Sequence, residues 1–275
     1  MIKLIASDID GTLVREGAHE IDPAYYDVIR ELKEAGITFC ACSGRQYPSM
    51  LDLFAPVADD IYFISNNGTL IRTKKEVLHS WKIEKDSYDH LLRELRKISG
   101  GDIIVETADE GIIDCSPDSP FAHLLRDEYH YKLRYVDDIL SVPADHIIKV
   151  SIHHPRVNEV TGGLRSDPRL QHLSMTISGA MWLDITPQEA GKGEAYALLQ
   201  EFLEIRQEET VYFGDNLNDL SAFEEAGVTA TVANARHELQ DAADIVERSY
   251  DDRGVLRELR NILGHARAFQ KAQDC

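Results

Sequence analysis

Cysteine is scarce in this 275-residue chain, and what there is does not pair. Cys40, Cys42, Cys115 and Cys275 form no Cys-x-x-Cys unit, and the first two alternate within one apolar stretch, Thr38-Phe39-Cys40-Ala41-Cys42. They read as reduced, small hydrophobic side chains, so neither a disulfide framework nor a structural zinc is expected. Long apolar runs are missing as well: none approaches the ~18 residues that a bilayer span needs. The opening Met1-Ile2-Lys3-Leu4-Ile5-Ala6-Ser7-Asp8 meets an acid too soon to form a signal-peptide core. The expectation is a cytoplasmic protein with no membrane partner. Basic residues are the third shortage, 29 Lys plus Arg against 48 Asp plus Glu, a formal charge of −19. Nucleic acid would repel such a polyanion unless a local basic stripe offset it. The chain has no such stripe, and no nucleic-acid partner is expected.

Repeats and low-complexity segments are also absent. Hydrophobic residues at 43% and charged residues at 28% are ordinary for a globular protein, and the length allows one large domain or two modest ones. The first third alternates short apolar runs with amphipathic segments, the pattern of a parallel sheet wrapped by helices. Strands are expected at 2–9, 37–42 and 61–65, with helices at 23–35 and 46–54. Asp22 is placed to cap the first helix, Pro23 to begin it and Gly36 to end it. The last third repeats the theme, with a helix at 193–205, a strand at 210–213, a helix at 217–226, and shorter elements at 228–232, 245 and 255–263. Both ends read as halves of one doubly wound α/β domain.

The middle differs in kind. Asp109-Glu110-Gly111 and Ser178-Gly179-Ala180 are hairpin turns between apolar runs. Around them lie a helix at 120–127, a strand at 147–152 and a helix starting near Pro155. The expected organisation is a Rossmann-like core at 1–82 and 186–275, split by an inserted α+β domain with an antiparallel sheet at 83–185.

Asp8-Ile9-Asp10-Gly11-Thr12 carries the strongest chemical signal. It falls where the first strand ends, and open α/β sheets bind ligands outside the carboxyl ends of their strands. Residues two apart on an extended segment share a side. Two neighbouring carboxylates tend to titrate apart, one staying an ionised nucleophile while the other donates a proton. Read alone, the same pentapeptide would serve as a strand-to-turn junction. Phe213-Gly214-Asp215-Asn216-Leu217-Asn218-Asp219 is the second segment, placing oxygen ligands between a strand end and a helix start, a donor set that suits Mg²⁺. Its bland reading is a helix-capping cluster.

Lys192, at a helix start, opposes the helix dipole unless an anion binds there; a solvated loop lysine is the alternative. Ser43-Gly44-Arg45 offers a hydroxyl, an open backbone N–H and a guanidinium, the parts of a phosphate grip. Asn67, in Asn66-Asn67-Gly68, either faces a leaving group or forms a plain turn. Trp182 either lines a substrate cavity, with Met181, or packs in a core. His153-His154 lacks a third ligand at metal spacing, and Tyr25 and Tyr26 divide between core and surface.

In this order, the Asp8–Thr12, Ser43, Lys192 and Asp215–Asp219 segments together resemble the haloacid dehalogenase superfamily. The inserted domain looks like the class IIB cap of Cof-type sugar-phosphate phosphatases. Two tail segments depart from the family pattern: Val232-Ala233-Asn234-Ala235 lacks a methionine-glycine before Asn-Ala, and Arg253 stands where an acid is common. The resemblance implies that Asp8 attacks phosphorus and becomes an aspartyl phosphate, and that Asp10 is the general acid and base. It implies Mg²⁺ held by Asp8, the Asp10 carbonyl and Asp215, with Asp219 as an outer or occasional ligand. Thr12, Ser43, Gly44, Asn218 and Lys192 would hold the phosphoryl oxygens. The expected substrate is a small phosphorylated metabolite, sugar phosphates foremost, with pyridoxal phosphate and flavin mononucleotide also open. A phosphomutase is the enzymatic alternative, and a non-enzymatic phospho-acceptor module of the receiver type is the other. Oligomeric state is not legible.

Overall fold

Strands buried on both faces set the frame. In a computed structural model, which describes residues 1–178 and 180–273, β1 (Leu4–Ser7) is wholly buried and β2 (Thr38–Cys42) nearly so. Helix α1 (Ala24–Glu34) lies between them in sequence and buries Tyr25, Val28, Ile29 and Leu32 at helical spacing. Asp22 Oδ1 accepts the Ala24 N–H at 3.0 Å. Gly36 ends the helix in the left-handed region, at φ +79°. Helix α2 (Tyr47–Leu53) and β3 (Ile61–Ser65) follow. Two short strands not expected from the sequence come next, β4 (Leu70–Arg72) and β5 (Val77–Ser80).

The chain then runs through α3 (Lys85–Leu95), β6 (Asp102–Glu106), β7 (Gly111–Ile113), α4 (Pro120–His123), β8 (Leu133–Tyr135), β9 (Lys149–His153), α5 (Val157–Arg165), β10 (Leu173–Ile177) and β11 (Trp182–Pro187). It returns through α6 (Lys192–Leu203), β12 (Thr210–Gly214), α7 (Leu220–Glu224), β13 (Val228–Val232), α8 (His237–Ala242), β14 (Ile245–Glu247) and α9 (Gly254–Gln273).

Two compact units result. The first comprises 1–45, 50–78 and the chain from 191 on; the second comprises 46–49 and 79–190. The expected insertion, 83–185, is thus narrower than the second unit at both ends, and the 46–49 segment was not anticipated.

The first unit is built on an eight-stranded sheet of order β14-β13-β12-β1-β2-β3-β4-β5. Its pairs from β14 to β3 are parallel, and β4 is antiparallel to β3. The chain leaves β1 towards β2 on one side and comes back through β12 on the other, so the sheet reverses its winding beside β1. That switch point is where doubly wound sheets open a crevice at their carboxyl edge.

The second unit has a six-stranded sheet of order β10-β11-β9-β6-β7-β8, antiparallel except between β7 and β8. One sheet face carries Ile103, Val105, Val150, Ile152, Leu183 and Ile185 and packs against apolar residues of α3 and α5. Strand neighbours on the other face include a buried ion pair, Lys149 Nζ to Glu106 Oε1 at 2.9 Å, and a Ser151 Oγ bond to Asp184 Oδ1 at 2.6 Å.

Helix α3 was not expected from the sequence, although Tyr88, Leu91, Leu92 and Leu95 on it are helically spaced and buried. The expected 120–127 helix is α4 continued by a wider turn over 124–128. Helix α9 runs well beyond the expected 255–263. Gly179 and Cys275 lie outside the described residues; Cys40, Cys42 and Cys115 are free thiols. Tyr25 is core, whereas Tyr26 is half-buried and donates its hydroxyl to the Leu53 carbonyl at 2.9 Å. Among the described residues no helix is long and apolar enough to cross a membrane.

Candidate active site

Asp8 leaves the end of β1, Asp215 the end of β12, and Lys192 opens α6; all three meet at the switch point. Lys192 is 2% exposed, and its Nζ lies 2.6 Å from Asp8 Oδ1 and 2.7 Å from Asp219 Oδ1. A buried ammonium at a helix start is unfavourable alone, and these two carboxylates offset it. Asp219 is fully buried and accepts from four donors: Lys192, the Tyr212 hydroxyl at 2.9 Å, and the backbone N–H groups of Asp215 and Asn216 at 3.1 and 3.2 Å. Its lone pairs are spent on building the cradle.

Oxygens of Asp8, Asp215 and Asp219 lie within 4.8 Å of one another. Burial, then the charges of Asp219 and Asp215, push the Asp8 carboxyl up against the opposing pull of Lys192. Burial and the Asp219 charge push Asp215 up to about 6. Three carboxylates facing one ammonium leave the cluster short of positive charge, and an all-oxygen donor set of this kind fits a divalent cation such as Mg²⁺. Gly11 makes the approach possible: at φ +82°, a Cβ there would lie 2.2 Å from Asp215 Oδ2.

The remaining expected residues fall around this centre, several with partners that the sequence did not suggest. Thr12 is buried and its hydroxyl donates to Asp215 Oδ1 at 3.2 Å, so it steadies a carboxylate rather than offering its hydroxyl to a phosphate. Ser43 follows β2, and its Oγ accepts the Arg45 N–H at 3.2 Å. Asn67, at φ +56°, folds back from the end of β3; its N–H reaches the Ser43 carbonyl at 3.0 Å and its Oδ1 accepts from Asn218 at 3.1 Å. The Asn67 amide also sits against Gly44, where a Cβ would come within 2.9 Å of Oδ1.

Arg45 departs furthest from expectation. Instead of standing free as a phosphate grip, it binds both oxygens of Asp10, Nε to Oδ2 at 2.7 Å and Nη2 to Oδ1 at 2.6 Å. The same Nη2 reaches the Ala18 carbonyl at 2.8 Å, and the Gly17 N–H donates to Asp10 Oδ1 at 2.9 Å.

Trp182 belongs to the second unit. It lies in an aromatic group with Phe121, His153 and Tyr129, and its indole N–H donates to the Tyr129 hydroxyl at 3.3 Å. His154, by contrast, faces the Ser99 carbonyl at 3.2 Å. The two histidines therefore do not converge.

Two contributors escaped the sequence reading. Tyr212 lies inside β12, where an aromatic among apolar residues carries no sign of a role. Asn234 donates to the Gly11 carbonyl at 2.7 Å and accepts the Tyr250 N–H at 3.3 Å, which ties the divergent tail segment to the first loop. Arg253, the other departure, sits at φ +58° and pairs with Asp22 at 2.7 Å.

The sheet order, the switch-point cluster and the inserted α+β unit define a class: a doubly wound α/β core interrupted by a second unit. The family model for haloacid dehalogenase-like hydrolases matches residues 5–259, and the chain belongs to that family. It is similar to the 5-amino-6-(5-phospho-D-ribitylamino)uracil phosphatase YbjI of Escherichia coli (strain K12), at 24% identity over 98% of this chain and 99% of that one. A crystal structure from Eubacterium rectale is 35% identical with a TM-score of 0.87, covering 95% of this chain and 99% of the other. The fold also matches that of the subclass IIB sugar phosphatase BT4131, with a TM-score of 0.76 at 20% identity over 94% and 98% of the two chains.

Proposed function

We propose that this phosphoric monoester hydrolase cleaves small phosphorylated metabolites, sugar and polyol phosphates foremost, through an aspartyl phosphate on Asp8. The carrying observation is the buried Asp8–Lys192–Asp219 chain beside Asp215 at the switch point. Lys192 orients the Asp8 carboxylate and offsets its charge as the nucleophile approaches a phosphoryl group that is itself anionic. Asp8, the Asp10 carbonyl and Asp215 would hold Mg²⁺, with Asp219 behind them. Bound there, the cation supplies charge to neutralise the transferring phosphoryl oxygens. Ser43, Gly44 and Asn218 stand at the neighbouring loop ends as donors to the same oxygens.

Asp10 is the acid that would protonate the leaving alkoxide and then take a proton from the attacking water. Its carboxylate is gripped on both oxygens by Arg45. Proton transfer through Asp10 therefore requires that grip to open, and a substrate anion is the natural competitor for the guanidinium. The polyol preference is supported by the ribityl phosphate in the name of the relative YbjI.

A panel of phosphate monoesters tests the reading, assayed with Mg²⁺ and with EDTA. Wild-type protein should release inorganic phosphate only with the metal, without forming a phosphate-migrated isomer. Asp8→Asn should lower the rate ~10³-fold or more, as loss of a covalent nucleophile does. Equal release by wild type and Asp8→Asn would refute the mechanism.

A further inference from the structure

We propose that the second unit carries a metal site of its own, for a transition ion of the zinc class, built from His90, Glu94 and Asp167. His90 and Glu94 are four apart on α3 and so share one helical face. Asp167 comes from the segment after α5. One ligand atom from each lies within 4.8 Å of the other two. His90 Nε2 is 2.6 Å from Asp167 Oδ2, and its Nδ1 is 3.8 Å from Glu94 Oε1. The imidazole thus stands between two carboxylates.

The group is already organised. His90 is buried, and Asp167 is pinned through Oδ1, which accepts the Arg169 N–H at 3.0 Å, while Oδ2 meets the ring at 2.6 Å and also accepts from Arg169 Nη2 at 3.3 Å. That Arg169 contact is an ion pair, and Lys97 Nζ meets Glu94 Oε1 at 2.7 Å. The cations now engaged there are loosely held. Lys97 and Arg169 are each 67% exposed, and such surface pairs contribute ~0–1 kcal/mol. An ion that displaced them would give up little.

Donor chemistry separates this group from the cluster at Asp8. An imidazole with two carboxylates suits Zn²⁺ and its neighbours, whereas an all-oxygen set suits Mg²⁺. Glu94 and Asp167 also line a cavity of about 500 Å³, together with Lys97, His154 and Arg156. The two carboxylates thus border space large enough for water or a small anion. The bound ion would clamp α3 to the segment following α5.

The test uses the full chain, stripped with EDTA and titrated with Zn²⁺ or Co²⁺ in millimolar Mg²⁺, which occupies the all-oxygen cluster. Wild type should bind one equivalent, show visible Co²⁺ bands and gain thermal stability. Asp8→Asn should keep that equivalent. His90→Gln and the more surface-placed Glu94→Gln should each weaken it by more than the roughly 10–100-fold that loss of an outer-shell partner costs. Phosphate release in saturating Mg²⁺ should not change in either variant. Absence of the equivalent in wild type, or its persistence at full affinity in Glu94→Gln, would overturn the proposal.

Discussion

At the residue scale, the centre of the site is organised by a side chain that does no chemistry. Asp219 has four donors and no exposure, so its neighbours are fixed through it. Tyr212→Phe removes one of those donors and leaves a buried carboxylate short of a bond. Hydrogen bonds to charged groups contribute about 1.5–3 kcal/mol, so urea unfolding should show a loss of that order. The rate should fall with KM little changed, since Tyr212 lies behind Lys192 and Asp8.

The second residue-scale consequence concerns pH. Asp215 titrates near 6 in the folded chain, above its ordinary value. The folded state therefore binds more protons than the unfolded state between about pH 4 and 6, so stability falls as pH rises through that window. Glu209, drawn down to about 2 by Lys3 and then Arg206, acts below the window and with the opposite sign. In EDTA, wild type should lose on the order of 1–2 kcal/mol from pH 4 to 6.5 that Asp215→Asn does not lose. Because ligands must be deprotonated to bind, the Mg²⁺ activation constant should rise about fivefold from pH 6 to 5. Thermal melts in EDTA and Mg²⁺ titrations at each pH check both.

At the scale of elements, loop ends and helix starts must approach closely for these side chains to meet. Gly68, between β3 and β4, sits at φ +97°, and a Cβ there would lie 2.1 Å from the Gly191 carbonyl just before α6. Gly68→Ala must push the start of α6, and Lys192 with it, away from Asp8. An expected cost above ~2 kcal/mol, read from denaturant unfolding, should come with a drop in phosphate release.

Elements with two independent signals were legible. Strands β1, β2, β3 and β12 are short apolar runs ending in turn residues, and α1 combines an apolar stripe with a cap and a glycine stop. Helix α3 was hidden because its four apolar core residues sit among charged ones. The β4–β5 pair was hidden because β5 is exposed to half-buried and gives no apolar alternation. In the site, acids at strand ends announced themselves. The grip of Arg45 on Asp10 spans 35 positions, and the Tyr212–Asp219 bond depends on how a strand and a following turn pack. No local pattern encodes either.

At the scale of the molecule, a charge of −19 is compatible with an anionic substrate because the site carries a buried cation, Lys192, and on the proposed reading would add a divalent ion, while the other acids disfavour polyanions. The two units also divide the apolar core. Leu91 is fully buried in the core of the second unit, packed with Val105, Val150 and Ile152, whereas Ile5 is fully buried on β1 beneath Asp8. Truncating either to alanine should cost about 2–5 kcal/mol, and units with separate cores open separately. Hydrogen exchange should therefore accelerate mainly through 79–190 in Leu91→Ala, with the Mg²⁺-induced rise in melting of the first unit retained. In Ile5→Ala it should accelerate through β1, β2 and β12, and that rise should shrink. Equal acceleration throughout the chain in Leu91→Ala would mean that the two cores unfold as one.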